Sequence, residues 1–382
     1  MKYFRKPPLL TFSCMLLAAL AAAVEISTVV APAPLTAVAA ERSGLGRQAL
    51  RFLAGRAGDP DPDVRAAVAA AWGEIGNRAA LPMLKKSVKD RNDYVRVEAA
   101  VSLHRLGQEQ GRQALMTLVR SSAVPEGKLS AAQEMRFMAR TKARAAALIR
   151  LSEMGNEDVV ALMESTLSDP SGAVRDATAV ALCRLGLDEE FSKQFLEAAQ
   201  DKDDSVRAAA IKALGDAGLA SARPALIAAA GDPSAAVRAE AVAALAAAVD
   251  QTLAPVFVER LKDENPRVRY LAAGGLSRIS EDSAVAPVLR RLAADEKTPD
   301  LALKALAGLA GRGEKIDISL AERSLSANDI DGRMLALEVL FAAPGDESLR
   351  LLARVMDEDA SVRVRVAAAS MLVRRLQSQG GR

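Results

Sequence analysis

A chain of 382 residues is roughly two to three times an average domain, so it either divides or extends by repetition. Half of the residues are hydrophobic but only 3% are aromatic, and 79 are alanine, which excludes an all-β sandwich or barrel and excludes disorder. Charge is high but balanced, 51 Lys and Arg against 48 Asp and Glu, and one His with two Cys cannot build a disulfide framework, a zinc cluster or a Cys–His nucleophile pair.

Residues 1–40 read as an export signal and linker. Lys2, Arg5 and Lys6 give a basic start, and Leu9–Val24 is an apolar run broken by Glu25. That run is short for a bilayer, which needs about 20 residues. Small-x-small cleavage positions follow Ala23 and Ala39, and the later one is preferred. The chain is then periplasmic or secreted; the alternative is a membrane anchor left uncleaved. Cys14 lacks a lipobox, because Thr11 stands where Leu is expected. Cys183, in a helical run, reads as an inert buried thiol.

From residue 41 to 382 the chain repeats. A Val-Arg step or its substitute recurs at Arg65, Arg96, Arg144, Arg175, Arg207, Arg238, Arg269, Ala302, Arg333 and Arg363. Successive spacings are 31, 48, 31, 32, 31, 31, 33, 31 and 30 residues. Each unit of about 31 residues reads as two helices. The first starts near the Val-Arg step, places Val68, Ala71 and Ile75 on one face, and stops at a Gly such as Gly76 or Gly218. The second starts near Pro82, Pro224, Pro255 or Pro287, where a missing N–H costs nothing.

An Asp stands six residues before most anchors, for example Asp59, Asp90, Asp232, Asp263 and, before Arg363, Asp357. It is expected to cap the following helix, with the anchor Arg meeting it or its counterpart in the next unit. On that basis Asp232→Ala costs about 0.5–2 kcal/mol. The 48-residue spacing marks an insertion at 121–137, in which Ser130 and Gln133 form a capping box that lengthens the third unit's first helix. Gly46–Leu50 matches Gly111–Leu115, so the body opens with a lone second-type helix; it ends with a lone first-type helix at Val362–Leu376. Nine pairs between them predict a curved rod roughly 90 Å long, at about 10 Å per layer. The second-type helices are expected on its concave side.

The pattern Asp-Pro-x-x-x-Val-Arg-x-x-Ala with a terminal Leu-Gly resembles the HEAT-like repeats of the phycobilisome-lyase class over residues 59–376. The resemblance implies an all-α, right-handed α-solenoid of the armadillo/HEAT-like kind. Deoxyhypusine hydroxylase uses similar repeats but needs several His-Glu pairs for iron, and this chain has only His104. Nucleic-acid binding is disfavoured because Lys85, Lys86, Arg290 and Arg354 alternate with Glu164, Glu197 and Glu322 on the second-type helices. The reading is an exported, non-catalytic HEAT-repeat scaffold that binds another protein or peptide. It has no catalytic, cofactor or metal residues, no nucleic acid and no membrane insertion after signal cleavage. The alternative is an accessory or chaperone-like subunit of a bilin-lyase-like enzyme complex, set lower because pigment attachment is cytoplasmic.

Overall fold

The computed structural model describes residues 37–121, 129–187, 189–279, 283–295 and 297–380. Residues 1–36, expected to hold the export signal and the Ala23 cleavage position, and residues 122–128 of the expected insertion lie outside the described residues. The chain is an all-α solenoid of twenty helices, with no strand among the described residues. The first-type helices are α2 (Pro62–Ile75), α4 (Asp93–Arg105), α6 (Ala131–Ser152), α8 (Gly172–Arg184), α10 (Asp204–Ala217), α12 (Ala235–Ala247), α14 (Pro266–Arg278), α16 (Pro299–Gly311), α18 (Ile330–Ala342) and α20 (Val362–Gly380). The second-type helices are α1 (Ala37–Arg56), α3 (Leu81–Ser87), α5 (Glu109–Arg120), α7 (Glu157–Thr166), α9 (Glu189–Ala198), α11 (Arg223–Ala229), α13 (Ala254–Arg260), α15 (Val285–Ala293), α17 (Ser319–Ser324) and α19 (Asp346–Glu358).

The units are tied by one repeated ion pair. The Arg65 guanidinium donates to both oxygens of Asp90, each at 2.8 Å, and turns back to the carbonyls of Asp59 and Pro60. Arg207 holds Asp232 at 2.9 Å and Arg238 holds Asp263 at 2.8 and 2.9 Å in the same way. Arg144–Asp169 and Arg333–Asp359 repeat it. Arg65, Arg207, Arg238 and Arg333 therefore close their own entry turns and grip the next unit, while Arg144 turns instead to the Val119 carbonyl of α5.

The Asp does a different job from the expected one. Its carboxylate accepts from the backbone N–H two residues on: Asp90 from Asn92, Asp232 from Ser234, Asp263 from Asn265. That second residue is the helix cap; Asp61, Asn92, Asp203 and Asn265 each accept from the first turn. Asp232 is therefore a turn brace and a rung, so its loss costs more than a cap. The last unit also shifts by two residues. Val364 is buried, Arg363 is exposed, and the rung from Arg333 lands on Asp359 instead of Asp357. The anchor of that unit is Arg365, whose Nε donates to the Met356 carbonyl at 2.7 Å.

Small residues let successive first-type helices approach closely. A Cβ on Gly73 would lie 2.3 Å from Ser102 Oγ, and one on Gly215 would lie 2.4 Å from the Ala244 Cβ. Ser102 Oγ then donates to the Ala69 carbonyl of the preceding helix at 2.8 Å.

The rod closes on itself. Successive first-type helices touch all the way along the chain, and α20 then packs against α2. The lone leading helix α1 docks against α19 and α20. Arg365 stacks 4.9 Å over the Phe52 ring, Gln48 donates to Asp357 at 3.0 Å, and Arg42 to Asp346 at 3.2 Å. Glu74 of α2 accepts from Arg374 of α20 at 3.1 Å. Ala49 and Leu53 share one core with Leu372 and Val373. The two lone helices thus make a tenth pair from opposite chain ends, and the open rod is replaced by a ring.

First-type helices contact their own kind closely at every step, whereas the described second-type helices from α3 to α19 lie much farther apart, meeting only through long side chains such as Arg354 and Glu322. The tighter circle is the inner one, so the first-type helices line the concave side and the expected order is reversed. Ten helices about 9 Å apart close a circle roughly 30 Å across and leave an opening on the order of 20 Å.

Removing the Asp263 carboxylate leaves the buried Arg238 guanidinium with Glu264, itself 85% exposed, and the carbonyls of Asp232 and Pro233. Asp263→Asn is expected to lower unfolding free energy by about 1–3 kcal/mol, read by denaturant titration. The hydrogen bond from Arg207 holds the Asp232 carboxyl below its ordinary value of 3.8, and that from Arg238 does the same to Asp263. These groups bind protons more weakly folded than unfolded. Their stabilisation is complete at neutral pH and is lost as pH falls through the depressed folded values. A melting temperature that is flat from about pH 5 to 8 and drops steeply below about 4 is the expected profile.

Leu53 is fully buried at the joint. Leu53→Asp should release α1 and open the ring, raising the radius of gyration in small-angle scattering while circular dichroism stays helical.

Candidate functional site on the inner wall

Because the first-type helices face inward, the positions two before, two after, five after and nine after each anchor form the inner wall. On α2 these are Asp63, Ala67, Ala70 and Glu74; on α14 they are Arg267, Leu271, Gly274 and Arg278. Small apolar residues make the floor, and charges collect at the helix ends.

Two clefts adjoin on this wall. One, of about 630 Å³, crosses α14, α16 and α18 and is lined by Arg267, Tyr270, Asp300, Leu301, Leu335 and Glu338. The other, of about 480 Å³, crosses α18, α20 and α2 over the ring joint and is lined by Ala67, Ala70, Arg363, Ala367, Met371 and Arg374. Asp331 and Met334 line both, so the two form one groove running from α14 to α2.

The groove's polar groups are largely engaged with each other. Lys304 Nζ lies 2.5 Å from Glu338 Oε2 and 5.5 Å from the Tyr270 ring centre. Arg267 reaches Glu240 at 3.5 Å, and Ser370 Oγ shares Glu74 with Arg374. This leaves a long trough with an apolar bed and charged pairs at its margins. Such a trough suits an elongated amphipathic ligand.

The residues weighed from sequence lie elsewhere. His104 is half-buried near the end of α4, outside the groove. Cys183 is buried in α8 with Ser192 Oγ at 3.4 Å. Lys85 and Lys86 sit on α3, away from the inner wall, while Arg290 and Arg354 are paired with Glu314 and Glu322. Gly275 makes room for the Phe257 ring, which a Cβ would approach to 2.7 Å. Sequence reasoning missed Tyr270, Lys304 and Glu338; Lys304 and Glu338 stand two and five residues past their anchors, on the inner-wall face, whereas Tyr270, one past Arg269, had no such signal. Among the described residues no group of three or more His, Cys, Asp or Glu is set to hold a metal ion. No helix among them is long and apolar enough to cross a membrane.

Comparison with known proteins places these features in context. A Picosynechococcus protein, phycocyanobilin lyase subunit alpha, is 30% identical over 176 residues, which are 44% of this chain and 62% of that protein. The chain thus spans less than two-thirds of the relative's length. Human deoxyhypusine hydroxylase matches at 18% identity and a TM-score of 0.33, covering 72% of this chain and 98% of that one. The complex of CpcE and CpcF of phycocyanin lyase from a Nostoc species matches at 19% identity and a TM-score of 0.28, covering 76% of this chain and 94% of that one.

The Picosynechococcus relative is a subunit of an enzyme, and this overturns the expectation that the chain has no catalytic role. That expectation leaned on the compartment implied by residues 1–40, which the fold does not test. The family model for HEAT repeats matches residues 49–136, 139–215, 192–251 and 223–310, more than half of the sequence, and the chain belongs to the HEAT-repeat family.

Proposed function

We propose that the chain is a lyase-type subunit that works with a protein partner and receives its substrate in the groove from α14 to α2. The observation that carries this reading is the 30% identity over 176 residues with a phycocyanobilin lyase subunit. The groove supports it by its form. A long substrate with a flat apolar body rests on Leu335, Met334, Ala367 and Ala70, and acidic substituents find Arg267 at one margin and Arg363 at the other. Lyase chemistry adds or removes a group across a double bond and needs a residue that takes a proton and returns it. Glu338 and Tyr270 are groups of that kind, beside the carboxylates of Asp300, Asp331 and Glu74 on the same groove.

The test uses phycocyanobilin itself with the purified chain. The expected result is co-elution on gel filtration with an altered visible absorbance, and at least tenfold weaker binding in Met334→Glu. Pigment that elutes free of the chain at every concentration overturns the reading. Residues 1–40 are proposed, on their basic start and apolar run, to direct export. The mass of the chain recovered from cells decides this: loss of residues 1–39 or 1–23 supports it, and a full-length cytoplasmic chain refutes it.

A further inference from the structure

The repeat rung fails where the insertion enters. Arg96 of α4 occupies the anchor position, but Ser121 stands 25 residues on, where Arg65, Arg144, Arg207 and Arg238 find Asp90, Asp169, Asp232 and Asp263. The guanidinium turns to Asp93 on its own helix, and its buried Nε has no hydrogen-bond partner among the described residues. Asp93 is shared, because Arg140 of α6 donates to its other oxygen at 3.3 Å. Burial pushes the Arg96 pKa down, and the neighbouring Arg140 adds to this.

More positive charge surrounds this spot. The overhanging first half of α6 and the entry to α4 enclose a cleft of about 420 Å³, lined by Arg91, Arg136, Arg140, Asp93, Tyr94 and Phe137. Arg91 and Arg136 make no ion pair among the described residues. Three guanidiniums, Arg91, Arg136 and Arg140, therefore line the cleft beside Asp93, which Arg140 shares with Arg96; Asp90, the other carboxylate near Arg91 and Arg96, is held by Arg65. Two aromatic rings line the same cleft, and Tyr94 is 43% exposed. A surplus of guanidinium beside flat rings is the arrangement that recognises an anion attached to an aromatic body, by paired hydrogen bonds and stacking.

We propose that this cleft between α4 and α6 is a binding site for a flat aromatic carboxylate, separate from the groove of the inner wall. The carboxylate lies between Arg136 and Arg140, and the ring lies against Phe137 and Tyr94. The insertion built the site by displacing the rung that would have neutralised Arg96 and by adding the helical overhang that carries Arg136, Phe137 and Arg140.

The experiment is isothermal titration of the full chain with 2-naphthoate, and with the neutral 2-naphthalenemethanol. The expected result is saturable binding of one naphthoate per chain, at least tenfold weaker binding of the neutral compound, and affinity that falls with added salt. Arg136 is exposed, so Arg136→Glu should keep the fold by circular dichroism yet lower naphthoate affinity at least tenfold. Phe137→Ala should weaken both compounds, and Lys86→Glu on α3 should change neither. Equal affinity for the two compounds, or unchanged affinity in both Arg136→Glu and Phe137→Ala, overturns the proposal.

Discussion

The structure rests on a guanidinium that serves two masters. Arg65, Arg207 and Arg238 each use one edge to close the turn that begins their own helix and the other to hold the next unit's Asp. A planar fork can do both at once, which a lysine ammonium cannot. Because the Asp also braces the next turn, every rung fixes the entry of two successive inner helices. Local turn geometry and long-range stacking are thus the same interaction. The rung is absent at several steps among the described residues, and two of these are the thinnest. The inner helices touch least at α4–α6 and α8–α10, and these are the steps after Arg96 and Arg175, neither of which grips the next unit's Asp. At the second of these steps α9 buries no side chain fully, and the apolar core thins to Val180, Cys183 and Ala217.

Closure changes what the ends of a repeat array must do. An open solenoid needs polar capping units, because its terminal units bury only one side. Here α20 packs on α19 and on α2, and α1 adds its side chains to α19 and α20 across the joint. Leu53 and Phe52 supply the outer half of the missing pair, and Val364, Leu372 and Val373 supply the inner half. The core then runs continuously through the joint instead of ending in two exposed faces. The ion pairs Arg42–Asp346 and Arg374–Glu74 fix the register of the two ends.

Much of this was legible in the sequence. The recurrence of Val-Arg, the Gly stops such as Gly76 and Gly218, and the second-helix prolines gave the helices and their order, since each follows from backbone chemistry at that residue. The capping box at Ser130 and Gln133 correctly lengthened α6. Two local readings failed because neighbouring residues competed for one role. Asp232 and Ser234 could both serve as caps, and Val362-Arg363 and Val364-Arg365 could both serve as anchors; only packing chose. Ring closure was not legible, because curvature accumulates from small rotations per unit that no residue encodes alone. The two unpaired helices were nevertheless the visible clue, a first-type end and a second-type end left over. The groove was hidden for a related reason. Its lining comes from five helices spread from Pro266 through Arg374 and back to Ala67.

The position of that groove ties binding to closure. Its second cleft lies over the joint, with Ala67 and Glu74 from one end of the chain facing Arg363 and Arg374 from the other. An opened ring separates these walls, so a ligand that spans them binds the closed form alone. Such a ligand adds RT ln(1 + [L]/Kd) to the stability of closure, about 2.7 kcal/mol at a hundredfold excess over Kd. The joint is held by the packing of α2 on α20 and the apolar core that runs through it, and the two half-exposed ion pairs add little, so an increment of that size adds to a closure already held by burial. Filling the groove and locking the ring are in this architecture one event. A partner that grips α1 from outside would reach the groove's occupant through the same joint.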